Sequence, residues 1–265
     1  MAGIFELGVR SAWTGALVSV APMLYFFVHL FLGHVPRTTP DLMGYRGATL
    51  AGVLITLMLG WGQENGPWPL TYSVLVGAVG MRLYIVWYSR LGRQTAPLLQ
   101  KGNQLPAIEF TDISGAAVST ESLRGAPALL LFFRGNWCPL CMAQIREISE
   151  QYRTLASLGV KTVLISPQPH ENTQALAKRF DVPFEFWTDK GNQGATQLGI
   201  NAVNGTPKGL EVLGYDSDTV MPTVLVIDEQ GRILFADLTD NYRVRPEPET
   251  FIAILREHRV AGASE

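Results

Sequence analysis

The fold is decided by a stretch of 14 residues, ALLLFFRGNWCPLC, at positions 128–141. Its first half is a continuous apolar run, typical of a strand buried on both faces of a sheet. It ends in Cys138-Pro139-Leu140-Cys141, which contains both cysteines of the 265-residue chain. A proline at the first turn and apolar residues spaced by three and four predict a helix over 139–158. The cysteine pair is therefore expected between a buried strand and the start of a helix.

This position favours a redox role for the two thiols. Orphan N–H groups and the helix dipole favour a thiolate at Cys138. A disulfide across so short a loop removes little chain entropy and would be a poor structural staple. Zinc is the alternative for a C-x-x-C motif, but it needs three or four ligands, and the chain has no second cysteine pair and four scattered histidines. No metal and no other cofactor is predicted.

Strands and helices alternate around this stretch, which predicts an α/β domain with a central sheet flanked by helices. The predicted strands are 107–110, 128–134, 160–166, 184–187, 223–228 and 232–236. The predicted helices are 139–158, 171–180, 193–198 and 247–258.

The composition divides the chain near residue 96. Residues 1–96 carry nine charged side chains, and residues 97–265 carry the other 35. The second part has the length of one globular domain and a net charge of −5, which gives no support to a surface for nucleic acid. We therefore predict a transmembrane region at 1–96 and a redox domain at 97–265.

The first part contains three long apolar stretches. Residues 12–33 hold no charged side chain over 22 positions, enough at helical rise to cross a hydrocarbon core of roughly 30 Å. Further spans are predicted at about 46–63 and 69–89. A cleaved signal peptide does not fit, because the first apolar core is too long and more apolar sequence follows at once. The sequence thus predicts an integral protein of a bacterial-type inner membrane, with an all-α region of about three helices in the lipid bilayer.

Basic residues near the span ends predict the orientation of the chain. Arg10 stands alone on one side. The basic residues of the other side are Arg37, Arg46, Arg90, Arg93 and Lys101. We expect the redox domain to share their side and to face the cytoplasm. The extracytoplasmic side is the alternative if the number of spans is even.

Two features inside the spans carry alternative interpretations. Arg82 would lie about two helical turns inside the third span, where it snorkels to the interface or pairs within the bundle. Small residues recur every four positions, at Ser11, Gly15 and Ser19 and again at Ser73 and Gly77. Such rows let helices approach closely, either within one bundle or in a homodimer.

The residues around the cysteines resemble a thioredoxin fold and, more narrowly, the peroxiredoxin-like branch of the alkyl hydroperoxide reductase and thiol-specific antioxidant superfamily. The resemblance covers about 99–255 and is carried by four segments: 102–110, 133–141, 221–228 and the tail 240–249, DNYRVRPEPE. It implies a thioredoxin-like sheet and a catalytic pair, Cys138 and Cys141.

The resemblance also implies supporting residues. Trp137 and Pro222 would shape the substrate groove, and Pro139 would set the turn between the sulfurs. Met221 and Pro222 are expected to be joined by a cis peptide bond, with Thr223 entering the strand that faces the cysteines.

Arg134 is a candidate for lowering the pKa of Cys138 by direct charge, the alternative being a surface arginine at the end of a strand.

Three departures from the family pattern bear on the chemistry. Typical peroxiredoxins place Thr or Ser three residues before the peroxidatic cysteine and Pro seven before, where this chain has Gly135 and Leu131. No Arg occurs over 182–231 to complete a peroxide pocket. The buried Asp six residues before the first cysteine of thioredoxin is Phe132 here, so proton transfer from Cys141 must use water or another group. The first two departures remove the donors that would polarise the peroxide O–O bond, unless Arg134 substitutes for them, and they therefore favour disulfide exchange over peroxide reduction.

Three functions follow as hypotheses. The first is a membrane-anchored thiol–disulfide oxidoreductase that forms mixed disulfides with protein or small-molecule disulfides. An external dithiol reductant is expected, with an electron donor of the thioredoxin or glutathione type as partner. A cytoplasmic site would favour the reductive direction. The second is a thiol peroxidase that reduces hydroperoxides with Cys138. The third is a membrane-tethered redox sensor without catalysis.

Overall fold

A computed structural model of the chain describes residues 11–61, 67–180 and 182–262. The chain divides into two compact units, Met1–Arg90 and Leu91–Glu265. Arg10, which enters the orientation argument, and residues 62–63 of the predicted second span lie outside the described residues.

The first unit contains three helices that are long and apolar enough to cross a membrane: α1 (Ala12–Leu32), α2 (Met43–Gly60) and α3 (Trp68–Tyr88). The hydroxyl of Ser11 accepts a hydrogen bond from the backbone N–H of Trp13 and caps α1. α3 contains two wide-turned π-helical stretches, Tyr72–Val79 and Tyr84–Tyr88. The predicted all-α region of three helices is confirmed, and α2 begins three residues before the predicted span, so that Arg46 lies in its first turn.

Small residues bring these helices into close contact. A Cβ at Gly15 would lie 2.2 Å from the backbone nitrogen of Thr56 in α2, and one at Gly52 would lie 2.2 Å from that of Ser19 in α1. Thr56 Oγ1 donates to the Gly52 carbonyl at 2.9 Å and lies 3.2 Å from Ser73 Oγ in α3. The small-residue rows are thus accounted for by the inside of one bundle.

The second unit is built on a mixed sheet of seven strands in the order β2-β1-β5-β4-β3-β8-β9. β3, β4 and β5 are parallel, β8 pairs antiparallel with β3, and β9 pairs antiparallel with β8. A separate ribbon pairs β6 with β7. The strands are β1 (Glu109–Asp112), β2 (Ala117–Ser119), β3 (Ala128–Phe132), β4 (Lys161–Ser166), β5 (Glu185–Thr188), β6 (Asn201–Ala202), β7 (Thr219–Val220), β8 (Thr223–Ile227) and β9 (Ile233–Asp237).

The described residues of the second unit also form five helices: α4 (Pro139–Glu150), α5 (Tyr152–Ser157), α6 (His170–Arg179), α7 (Gln193–Gln197) and α8 (Pro248–Gly262). Short 3₁₀ turns lie at Pro97–Leu99, Thr120–Leu123, Lys190–Asn192 and Leu210–Leu213. The single helix predicted over 139–158 is interrupted at Gln151, whose N–H bonds to Ile148 three residues back instead of four. β2, β6 and β7 were not predicted, because each is two or three residues long.

The sheet places the cysteine loop through the central strand β3. All five residues of β3 are buried, which agrees with the continuous apolar run. The last of them, Phe132, is opposite Ile165 of β4 and Thr223 of β8. The loop that leaves β3 therefore emerges between the loop after β4 and the segment before β8. The predicted fold class, a central sheet flanked by helices, is confirmed.

Candidate active site

The loop from β3 to α4 delivers the two cysteines to the start of a helix. Cys138 is the N-cap residue of α4 with an extended backbone, and Pro139 occupies the first helical position. Cys138 Sγ accepts a hydrogen bond from the backbone N–H of Cys141 at 3.4 Å. Both thiols are unbridged and buried, with Cys138 3% exposed and Cys141 0% exposed. Of the two residues, Cys138 is slightly the more exposed.

Gly135 explains why the hydroxyl donor of typical peroxiredoxins has no counterpart at this position. Its φ of +147° lies in a region that side chains rarely adopt, and a Cβ there would lie 2.8 Å from Nε1 of Trp137. The backbone and the indole together exclude a side chain. The indole ring of Trp137 therefore packs against the backbone at Gly135.

Asn136 anchors the loop between β3 and α4 through hydrogen bonds to distant residues. Its backbone N–H donates to Gln168 Oε1 at 2.8 Å, and its side-chain oxygen accepts a hydrogen bond from the hydroxyl of Tyr215. Asn172 Nδ2 donates to the same hydroxyl at 2.9 Å. These partners lie 32 or more residues along the chain, so no local pattern pointed to them.

Arg134 lies beside the pair but stacks between two aromatic rings. Its guanidinium carbon is 5.6 Å from the ring centre of Trp137 and 5.7 Å from that of Tyr242, which are cation–π contacts. Its backbone carbonyl accepts a hydrogen bond from Thr219 Oγ1 at 3.0 Å. Arg134 is thus held by defined contacts beside the cysteine pair and is not a freely exposed arginine at the end of a strand.

Arg245 is a site residue that sequence reasoning missed. It lies in the tail before α8, is 5% exposed, and donates from Nη2 to Cys141 Sγ at 3.8 Å. Its Nη1 donates to Gln144 Oε1 at 3.2 Å and its Nε to the Tyr242 carbonyl at 3.0 Å. Within the described part of the chain it has no carboxylate partner. Because a buried guanidinium needs a counter-charge, a thiolate in the cysteine pair is its natural partner.

These contacts separate the acidities of the two thiols. Burial raises the pKa of Cys141, but the hydrogen bond with Cys138 and the charge of Arg245 outweigh it and lower this pKa to about 6. The hydrogen bond with Cys141, together with burial, raises the pKa of Cys138, although the charges of Arg245 and Arg134 oppose this. The pair therefore holds one proton near neutral pH, with the negative charge beside Arg245. The thiolate expected at Cys138 stays a prediction, since the two thiols titrate as a pair and the Sγ of Cys138 accepts the backbone N–H of Cys141.

The segment Met221, Pro222 and Thr223 runs alongside the end of β3 as predicted. The prediction of a cis peptide bond between Met221 and Pro222 is wrong. Every peptide bond among the described residues is trans. Trans is the favoured isomer before proline, and in it the backbone of Met221 finds partners inside the domain. Its N–H donates to the Ile200 carbonyl at 2.7 Å, and its carbonyl accepts from Thr223 Oγ1 at 2.8 Å. An incoming peptide would therefore have to compete for the backbone of Met221.

Arg93, also missed from the sequence, holds this segment in place. Its Nη2 donates to the Pro222 carbonyl at 2.9 Å and its Nη1 to Thr223 Oγ1 at 3.2 Å. Burial lowers the pKa of Arg93, and the nearby charge of Arg245 acts in the same direction. The charges of Asp237 and Asp240 oppose both effects, because they stabilise the charged guanidinium.

No group of three or more His, Cys, Asp and Glu side chains in 11–61, 67–180 and 182–262 could hold a metal ion. The chemistry that the site offers is that of two adjacent sulfurs, one of them charged.

Comparison with known proteins identifies the family. The family model for AhpC/TSA matches residues 101–236, just over half of the chain. The chain belongs to the AhpC/TSA family. A chloroplastic peroxiredoxin Q from Sedum lineare is 28% identical over 47% of this chain and 67% of its own length. A thiol-disulfide oxidoreductase ResA from Bacillus cereus is 24% identical over 61% of this chain and 80% of its own length.

Solved structures show the same fold in this family. Peroxidoxin BcpB from Mycobacterium tuberculosis superposes with a TM-score of 0.50 at 18% identity, over 60% of this chain and 97% of that one. A mutant of peroxiredoxin 6 from Arenicola marina gives 0.53 at 12% identity, over 62% and 74%. The predicted family resemblance is confirmed, and so is the prediction of an enzyme of the thiol–disulfide oxidoreductase or thiol peroxidase kind. The choice between these two chemistries rests on the site.

Proposed function

We propose that this AhpC/TSA protein is a membrane-anchored thiol–disulfide oxidoreductase in which Cys138 and Cys141 alternate between dithiol and disulfide. The observation that carries the proposal is the contact of buried Arg245 with Cys141 Sγ at 3.8 Å. This contact keeps one negative charge on the reduced pair. A standing thiolate beside a second thiol is what disulfide exchange requires.

The first step forms a mixed disulfide at Cys138. The shared proton moves to Cys141, and the backbone N–H of Cys141 stabilises the thiolate left on Cys138. Cys138 Sγ attacks one sulfur of the substrate disulfide, breaks the S–S bond and forms a new one. The other substrate sulfur leaves as a thiolate and takes the proton from Cys141.

The second step releases the substrate. Cys141 Sγ, now a thiolate beside Arg245, attacks Cys138 Sγ and forms the internal disulfide, and the second substrate sulfur leaves as a thiolate. The substrate gains two electrons and the pair loses two. No carboxylate base is needed where thioredoxin has its buried Asp, because the guanidinium lowers the pKa of Cys141 directly.

An external thiol donor, either a dithiol of the thioredoxin type or two molecules of glutathione, would return the two electrons. Disulfide formation removes the anion that Arg245 faces, so the arginine stabilises the reduced form and raises the reduction potential. A cysteine pair with a raised reduction potential accepts electrons readily from such a reductant. The five basic residues on one side of the spans support a cytoplasmic domain, where such reductants are available.

Peroxide reduction by the same Cys138 is the second candidate, favoured by the similarity to peroxiredoxin Q. Cys138 would attack the O–O bond and become a sulfenic acid with release of an alcohol, and Cys141 would then condense with it to a disulfide and water. Two observations weigh against it. No side chain fits at Gly135 to donate a hydrogen bond to the peroxide, and the nearest guanidinium contacts Cys141.

Trapping with single-cysteine variants tests the proposal. We expect purified full-length Cys141→Ser to accumulate a stable mixed disulfide with a labelled disulfide peptide. The matched Cys138→Ser variant should not, because its remaining sulfur is fully buried. Mixed disulfides on Cys138→Ser at the same rate would refute the assignment of the attacking sulfur. Hydroperoxide consumption by the wild type at a higher rate than disulfide reduction, abolished in Cys138→Ser, would replace exchange by peroxidase activity.

A further inference from the structure

A pocket in the membrane unit contains two arginines that the redox site does not use. It lies between α2 and α3 and has a volume of about 240 Å³. The residues that line it include Arg46, Thr49 and Leu50 of α2, and Ala78, Met81 and Arg82 of α3. On each helix the lining residues are spaced by three and four, so they share one face.

Neither guanidinium is neutralised by the described part of the protein. Arg46 and Arg82 have exposed side chains, and neither makes an ion pair or a side-chain hydrogen bond with a described residue. Two like charges at one pocket repel each other, and a charge at membrane depth calls for a partner. The pairing within the bundle that the sequence left open for Arg82 is therefore not made by described residues.

Thr49 supplies an independent observation that points to a ligand. Its side chain is 1% exposed, and its hydroxyl has no hydrogen-bond partner although it lines the pocket. Thr56 of the same helix instead bonds back to the Gly52 carbonyl at 2.9 Å. A buried hydroxyl without a partner is unfavourable unless a bound group accepts its proton.

The position along the helices indicates the depth of the pocket. Arg46 is in the first turn of α2, and Arg82 is six residues before the end of α3, about 9 Å at helical rise. Since α2 and α3 are consecutive spans, these two ends lie on the same side of a membrane. That depth corresponds to the headgroup boundary of a bilayer.

We propose that this pocket binds the phosphate of an anionic glycerophospholipid, with Arg46 and Arg82 on the phosphate oxygens and the Thr49 hydroxyl as a further donor. Free inorganic phosphate offers the same oxygens. The apolar lining, Leu50 and Met81 among it, and the boundary depth fit a phosphate that carries acyl chains. The pocket therefore selects a lipid by its headgroup and holds it between two helices.

Thermal unfolding of the full chain in detergent, with added lipid, tests the proposal. We expect phosphatidylglycerol to raise the melting temperature at concentrations where phosphatidylcholine and inorganic phosphate have little effect. In the double variant Arg46→Gln/Arg82→Gln, the apparent affinity for phosphatidylglycerol should fall by about tenfold or more. Arg90→Gln, which removes a cation just after α3 and outside the pocket, should keep it.

Thr49→Val separates ligand binding from folding. Without lipid it should melt at the wild-type temperature or above, because it removes a hydroxyl that has no partner. With phosphatidylglycerol it should gain less than the wild type. Equal gains in wild type, Thr49→Val and the double variant would overturn the site, and an equal gain with inorganic phosphate would overturn its assignment to a lipid.

Discussion

Replacement of Arg245 by methionine is expected to raise the pKa of the reduced cysteine pair and to make the pair a stronger reductant. Methionine retains an unbranched stem but carries no charge and no donors. The change removes the hydrogen bond from Nη2 to Cys141 Sγ and the one from Nη1 to Gln144 Oε1. The reduced form therefore loses the cation that stabilises its thiolate.

The size of the effect follows from the geometry. Two unit charges 3.8 Å apart attract by about 4 kcal/mol at an effective dielectric constant of about 20, or about 3 pKa units. Burial raises the pKa of Cys141, and the hydrogen bond with Cys138 and the charge of Arg245 together lower it to about 6 against the ordinary 9.0. Without Arg245 the thiolate fraction at neutral pH should fall by roughly a hundredfold, and the reduction potential by roughly 30 mV.

Ultraviolet absorbance of the thiolate against pH measures the first quantity, and equilibration with glutathione measures the second. The titration is repeated in Cys138→Ser, where Cys141 is the sole thiol and any shift belongs to it. Arg245→Lys, which keeps a charge but loses the planar fork, should recover part of both effects. Arg256→Met, at an exposed position in α8, controls for the loss of one surface charge.

A wild-type titration midpoint in Arg245→Met, with circular dichroism and a melting temperature that show a folded domain, would refute a role of Arg245 in lowering the thiol pKa. Such a result would mean that another group stabilises the thiolate. The rate of thiol alkylation against pH gives a second check. If this rate fell by the same factor at every pH, the substitution would have changed the access of the reagent to the thiol and not its pKa, which would also contradict the prediction.

Three further predictions concern the loop, the bundle and pH. Gly135→Ala should destabilise the domain by roughly 1–3 kcal/mol in urea, because its φ is +147° and a Cβ would lie 2.8 Å from Trp137 Nε1; an unchanged midpoint would contradict this. Gly15→Leu should lower the melting temperature in detergent, because its Cβ would lie 2.2 Å from the α2 backbone, whereas Gly47→Leu, with nothing within 4 Å, should not. The reduced domain should lose stability as the pH falls from 9.0 to about 6, because folding lowers the pKa of Cys141; the disulfide form, which has no thiol to titrate, should lack this loss.

The elements of the redox domain were predictable because their signals are local. An apolar run, a proline at the first turn and residues spaced by three and four define β3 and α4 within one strand or one turn. The same holds for the three apolar spans, whose length and lack of charge are read directly. The break of the helix at Gln151 was not predicted, because the spacing of apolar residues does not reveal a single tightened turn.

The candidate site also combines features with a local sequence signal and features that depend on distant contacts. The sequence determined where the two sulfurs stand, at the junction of a buried strand and a helix. The tertiary structure decided which cation faces the pair, since Arg245 reaches Cys141 across 104 positions of the chain. It also decided the isomer at Pro222 and the use of the small-residue rows, through contacts from Arg93, Ile200 and neighbouring helices. Patterning specifies which face of an element is buried, but the charged groups that meet there come from distant segments, and only folding sets their distances.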